Sequence, residues 1–212
     1  MSENTQATNQ LPLQGAGGSR EKILAAVKQN QPEPMELPDI AFLKGDPEGV
    51  IEKYSTTLTN VGGKVYRVSG YDEIARIVKE IYKPEDRILT LIPELSGITN
   101  EAFQPSLTAH HWENVDLAVI RGHFGVAENG AVWVTEELMG HRALPFITQY
   151  LAIVIKAEDI VPTMHEAYIR TADKTSYGYG VFIAGPSKTA DIEQSLVIGA
   201  HGPRGMTVFI LD

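Results

Sequence analysis

The sequence predicts an α/β protein, and three observations carry that prediction. From Asp46 onward, stretches with apolar residues at helical spacing alternate with short runs that are almost wholly apolar. Such runs suit strands buried on both faces of a sheet that helices cover. The 212 residues suit one ordinary domain, and they contain no internal repeat.

The elements follow in order. Residues 1–18 are rich in Asn, Gln, Thr, Ser and Gly and carry one charge, so they bury too little apolar surface to offset their ordering entropy and read as a flexible tail. Ser19 is an expected N-cap for a short helix to about Asn30, with Ile23, Leu24 and Val27 on one face. Residues 31–45 carry Pro32, Pro34 and Pro38 and read as an extended connector, so residues 19–212 are expected to form a single domain. Asp46-Pro47-Glu48 then has the form of a helix start, with an apolar stripe of Val50, Ile51, Tyr54, Leu58 and Val61 and a stop at Gly62-Gly63.

Residues 64–68 alternate as a strand. Ser69 with Asp72 resembles a capping box before the stripe Ile74, Ile77, Val78 and Ile81, which ends near Pro84. Residues 87–92 form the next predicted strand, followed by β-rich runs at 116–120, 131–135 and 151–155. A helix from about 159 to 172 and strands at 181–184 and 207–211 complete the pattern.

Composition narrows the function classes. With 18 basic and 27 acidic residues the net charge is −9, which argues against bulk electrostatic binding of nucleic acid or an anionic membrane, while leaving room for a local basic patch. The absence of cysteine excludes disulfides, zinc–thiolate sites, thiolate-ligated iron–sulfur clusters and a catalytic thiol on this chain. The longest apolar stretches, such as 151–155, are strand-sized, and the N-terminus lacks the basic segment and apolar run of a signal peptide. A soluble, cytoplasmic protein without a membrane span is expected.

The segment with the most chemistry is Gly185-Pro186-Ser187-Lys188-Thr189-Ala190-Asp191-Ile192-Glu193, directly after an apolar strand. Ligands in open α/β sheets bind beyond the carboxyl ends of strands. Here Gly185 allows close backbone approach, Ser187 and Thr189 offer hydroxyls, Lys188 offers a positive charge, and the loop amides could cradle an anion. Asp191 and Glu193 could supply acid or base groups. The same residues also suit a plain turn in which Asp191 is a cap and Lys188 a solvated charge. The Gly-Lys-Ser/Thr order of a Walker A loop is missing.

A second loop, His201-Gly202-Pro203-Arg204-Gly205, precedes the last strand. It pairs a side chain that titrates near neutrality with one that grips carboxylates or phosphates bidentately. A tight loop with His201 bonded to backbone is the alternative. Because both loops flank residues 192–200, they are expected to face one cleft. Ala127-Glu128-Asn129-Gly130 is a hairpin signal, which by itself leaves Glu128 merely exposed. No metal site is expected: His110 and His111 are adjacent, His123 and His141 lie far off, and no His-Glu-x-x-His pattern occurs. Trp112 and Trp133 read as packing residues.

The two C-terminal loops, Gly185 to Glu193 and Gly199-Ala200-His201-Gly202-Pro203, together resemble the signature of the lactate utilization protein C (LutC/YkgG) family, the LUD domain. The likeness is strongest from Ala127 onward, where Ala127-Glu128-Asn129-Gly130 stands in place of the common Ala-Glu-Thr-Gly-Thr. Asn129 and Ala131 thus replace two threonines and remove two hydroxyls beside Glu128. The resemblance implies a three-layer α/β/α sandwich similar to the NagB/RpiA/CoA-transferase fold. It also implies a role in oxidising L-lactate to pyruvate, with iron–sulfur clusters on partner proteins and no cofactor on this chain.

Glu128, Lys188, Thr189, Asp191, Glu193, His201 and Gly202 match the family pattern. We therefore take Glu128, Asp191, Glu193 and His201 as candidate catalytic groups, and Gly185, Ser187, Lys188, Thr189, Gly202 and Arg204 as candidate ligand-binding groups. An accessory subunit holding a small anionic ligand is the first functional expectation. A stand-alone sugar-phosphate or CoA-ester enzyme and a ligand-sensing regulatory module are the others.

Overall fold

The computed structural model describes residues 18–36, 38–99, 101–104, 108–172, 178–190 and 196–212. The predicted tail lies outside these residues except for Gly18, and so do Asp191 and Glu193. The chain divides into two compact units, residues 1–39 and 40–212, a division that falls inside the predicted connector. In the first unit, helix α1 (Ser19–Gln29) begins after Gly18, so Ser19 is its first residue and not its cap. It closes on Asn30, whose amide and side-chain Nδ2 both donate to the Ala26 carbonyl at 3.1 and 2.8 Å.

The second unit begins with a 3-10 turn at Ala41–Leu43. Helix α2 (Val50–Asn60) follows, then β1 (Lys64–Val68), α3 (Tyr71–Ile81), β2 (Ile88–Thr90), β3 (Leu117–Arg121), β4 (Phe124–Val126) and β5 (Ala131–Thr135). Short helices α4 (Glu136–Met139) and α5 (Leu144–Ile147) lead to β6 (Tyr150–Lys156), β7 (Ile160–Val161), α6 (Met164–Ala172), β8 (Gly180–Ile183), β9 (Lys188–Ala190), β10 (Leu196–Ile198) and β11 (Gly205–Leu211).

Five strands form a parallel sheet in the order β1-β11-β6-β3-β2. Its central strands are apolar because both faces are covered: Leu117 to Ile120 and Leu151 to Ile155 are all buried. On one face α3 packs Ile74, Ile77 and Val78 against Leu117, Val119, Ala152, Val154 and Phe209. On the other, Ala118, Ile120, Ile153, Val208 and Ile210 meet Tyr54 and Leu58 of α2 and Val132 and Val134 of β5. The predicted α/β class holds.

The strands are not all in that sheet. A second sheet has the order β7-β4-β5-β8, and β9 with β10 makes a separate antiparallel hairpin. The strand preceding Gly185 is present as β8, but it runs antiparallel to β5 in the second sheet. Strands β4, β7, β9 and β10 are too short to show a period, and the sequence reading gave none of them.

Helix starts differ from expectation in an informative way. Asp46 accepts a hydrogen bond from the Glu48 amide at 2.8 Å and so caps a turn, with α2 starting after Gly49. Ser69 pairs with Glu73, not Asp72: its amide and hydroxyl both donate to Glu73 Oε2, at 3.0 and 3.1 Å. Helix α6 starts at Met164, not near 159, because Ile160 and Val161 pair with β4 and Pro162 follows. Among the described residues no helix is long and apolar enough to cross a membrane.

Candidate functional site

The end of α2 organises the site. Gly62 and Gly63 donate to the Thr59 and Leu58 carbonyls at 2.9 Å each, which stops the helix and turns the chain into β1 at Lys64. The Gly185 loop packs on this turn so closely that a Cβ on Gly185 would stand 2.9 Å from the Val61 carbonyl oxygen. The Arg204 loop arrives beside it, since Arg204 immediately precedes β11, the neighbour of β1. Both loops therefore sit at the amino edge of the parallel sheet. The carboxyl-edge placement in the parallel sheet expected for the Gly185 loop does not occur, because β8 belongs to the second sheet, antiparallel to β5.

The two loops, which the sequence reading expects to face one cleft, touch each other. The Ser187 amide donates to the Pro203 carbonyl at 2.9 Å, and a Cβ on Gly202 would lie 3.2 Å from the Ser187 Cβ. The amide of Ser187 is spent on Pro203, that of Gly199 on the Ser187 carbonyl at 3.0 Å, and that of Gly185 points at the Met206 sulfur at 3.1 Å. These amides hold the loops together and do not form an anion cradle. Thr189 is a rung of the β9–β10 hairpin, with its hydroxyl 3.4 Å from the Val197 carbonyl.

What the loops present instead is side-chain charge. The Lys188 ammonium lies 3.5 Å from where a Cβ on Gly62 would be, so it stands over the end of α2. Gly62, Lys64 and Arg204 line a cleft of about 440 Å³ that opens along the amino ends of β1, β11, β6 and β3. From residue 40 onward, Arg67, Arg76, Arg87, Arg121, Arg142 and Arg170 each engage a carboxylate. Among the described residues of that unit Arg204 is the one arginine without such a partner, and Lys64 and Lys188 also lack one.

The far end of the cleft carries Tyr82, Asp86 and Tyr150, none of which the sequence reading singled out. The two rings meet edge-on with centroids 6.1 Å apart. Burial, and then the neighbouring Tyr150, push the Tyr82 phenol up to about 12, so it stays neutral. No local pattern marks these residues. Their common trait is position at a strand's amino end or in the loop that leads into one.

The remaining candidates separate from the cleft. His201 borders an adjoining hollow with Phe146, Gln149 and Gly202, and that hollow meets the cleft at Arg204. Glu128 is exposed, and its Oε2 accepts the Met164 amide at 2.7 Å, capping α6. A carboxylate at a helix N-terminus satisfies an orphan N–H and favours the dipole, which is a structural use of this residue. Its turn is the predicted hairpin, with Val126 opposite Ala131 and the Gly130 amide donating to the Val126 carbonyl at 2.9 Å.

The histidines lie apart: His123 Nε2 is 2.7 Å from Thr135 Oγ1, and His141 Nδ1 accepts the Ala143 amide at 3.1 Å. Among the described residues no group of three or more His, Asp or Glu side chains could share a metal ion.

Comparison with known proteins adds a family. Residues 99–211 match the family model described as the LUD domain. A lactate utilization protein C from Bacillus pumilus is 32% identical over 134 residues, covering 57% of this chain and 56% of that protein. One from Oceanobacillus iheyensis is 29% identical over 105 residues, covering 47% and 45%. The chain thus spans about half the length of the relatives it matches. A crystal structure of a DUF162 family protein from Deinococcus radiodurans superposes with a TM-score of 0.62 at 18% identity, over 77% of this chain and 96% of that one, which shows a common fold.

Proposed function

The chain belongs to the LUD-domain family, and on that footing we propose that it serves a lactate-utilization system by binding a small organic anion in the cleft lined by Lys64 and Arg204, with Lys188 reaching in from over the turn at Gly62. The observation that carries this reading is that Arg204 and Lys64 line the cleft, and Lys188 stands over the adjoining turn, with no carboxylate partner among the described residues, in a chain whose net charge is −9. A free guanidinium at the mouth of a cleft has its donor fork available for a carboxylate or phosphate. The names of the relatives support the lactate setting.

Iron–sulfur proteins are the partners we propose. A chain without cysteine ligates no cluster through thiolates, so the electrons released when L-lactate becomes pyruvate would travel on partner chains. His201, on the loop that carries Arg204, would exchange the substrate proton with solvent. In this reading the chain is an accessory subunit: it binds and orients the anion, and the redox centres lie elsewhere.

The test is genetic and enzymatic. Cells lacking this chain are complemented with the wild type or with Lys188→Met, and L-lactate-dependent dye reduction is measured in extracts. We expect the deletion to lose the activity and the variant to restore less than a tenth of it. Undiminished activity without the chain would overturn the lactate reading, and full activity with Lys188→Met would overturn the seat.

A further inference from the structure

The cleft is more than an anion seat, because its polar groups are segregated by strand. Lys64 heads β1 and Arg204 precedes β11, with Lys188 over the turn between α2 and β1. Tyr150 heads β6, and Tyr82 and Asp86 lie in the connection from α3 to β2. In the sheet order β1-β11-β6-β3-β2, Lys64 and Tyr150 are two strands apart. With about 4.8 Å between strands, that is roughly 10 Å from the cationic end to the tyrosine end. Between them β11 contributes Thr207, opposite Lys64, and Phe209, and Ala152, Leu117 and Val78 complete a mostly apolar lining.

Each end makes its own demand on a ligand. Lys64 and Arg204, with Lys188 over the adjoining turn, have no carboxylate partner among the described residues and exceed what one carboxylate needs, whereas a phosphate monoester carries close to two negative charges at neutral pH and offers three acceptor oxygens. At the other end the Tyr150 ring lies against Gly205, where a Cβ would stand 2.9 Å from the ring. With the edge of Tyr82 it makes an aromatic wall. Asp86 has one carboxylate oxygen engaged by the Lys83 amide at 2.8 Å, which leaves the other for a donor on the ligand. A three-carbon acid would fill only a small part of the roughly 440 Å³ available.

We infer that the cleft takes a phosphorylated aromatic ligand of mononucleotide size, its phosphate at Lys64, Lys188 and Arg204 and its ring at Tyr82 and Tyr150. The inference rests on the reading of this cleft as the anion seat and goes beyond it in naming the ligand class. A sugar-length linker spans the mostly apolar lining, and an amino or imide N–H of the ring donates to Asp86. Such a volume lies within the range of sites that enclose small ligands.

The experiment is calorimetric titration of the purified chain with the 5′-monophosphates of adenosine, uridine and riboflavin, against adenosine, inorganic phosphate and L-lactate. At least one monophosphate is expected to bind ten times or more tightly than all three comparators. Arg204→Met should weaken it at least tenfold. Tyr150→Ala should weaken it at least fivefold while leaving the affinity for inorganic phosphate unchanged, and unaltered thermal melting guards against misfolded variants.

If L-lactate or phosphate binds as well as every monophosphate, and Arg204→Met weakens that binding, the ligand class is wrong and the anion seat stands. If no anion binds, or Arg204→Met changes nothing, both are overturned.

Discussion

Lys188 stands over Gly62: its ammonium nitrogen lies 3.5 Å, and the Pro186 ring 3.4 Å, from where a Gly62 Cβ would be. Gly62 has a φ of +92°, a conformation that side chains on L-residues rarely adopt. The helix stop at the end of α2 and the platform beneath the lysine are therefore one structural feature.

Gly62→Ala should cost about 1–2 kcal/mol through backbone strain. The 3.5 Å separation is ordinary contact, so the lysine need not move and anion binding should survive. Urea denaturation read beside a binding titration checks both parts. Lost binding at unchanged stability would contradict this account.

Lys188→Met and Arg204→Met remove no ion pair among the described residues. Their stability should stay within about 0.5 kcal/mol of wild type, as for surface changes away from any network. Their anion affinity should fall, and the wild-type affinity should weaken with added salt because the charges are exposed. A thermal melt and a salt series measure these two effects separately.

Glu128→Ala should destabilise the protein by about 1 kcal/mol, the usual value of a lost helix cap. The bond lost is the one from the Met164 amide. Binding in the cleft should be unaffected. If Glu128→Gln abolished lactate-dependent activity while melting normally, Glu128 would be a chemical group and not a cap.

The Tyr54 hydroxyl is fully buried without a hydrogen-bond partner among the described residues, and burial pushes its phenol well above the usual tyrosine range. Removing an unsatisfied buried hydroxyl removes a desolvation cost, so Tyr54→Phe should be neutral or stabilising by up to about 1 kcal/mol. Tyr54→Ala should lose about 3–5 kcal/mol through the cavity left between α2 and the sheet. The two urea midpoints together give the sign of the hydroxyl's contribution.

Hydrogen bonds from the Ser69 amide and hydroxyl hold the Glu73 carboxyl below the usual carboxylate range. A depressed folded value gives stability that is fully present above the unfolded pKa and is lost as pH falls through the folded one. Glu73→Gln should therefore be less stable than wild type at neutral pH, with the gap closing as both are acidified. Denaturation midpoints at neutral pH and near pH 3 check the convergence.

The sequence by itself determined most of the elements. Tyr54 and Leu58 of α2, the stripe of α3 and the wholly apolar cores of β3 and β6 carry their period or their composition within a few residues. The helix stop at Gly62-Gly63 and the hairpin turn at Asn129-Gly130 are equally local, since each depends on the conformation of one or two residues. The meeting of the Ser187 and Gly202 loops was legible too, because so few residues separate them.

Tertiary structure alone decided which edge of which sheet those loops would serve. Strand β8 reads the same whether it is parallel or antiparallel, yet its pairing with β5 carries the Gly185 loop to the amino ends of β1 and β11. Lys64, Tyr82, Asp86 and Tyr150 come from segments far apart in the chain, and only strand order brings them around one hollow. Glu128 likewise acquires its use from α6, which another part of the chain delivers to it. Periodicity is a property of neighbours along the backbone, whereas a site is made by pairings between distant segments, and those are fixed when the sheets close.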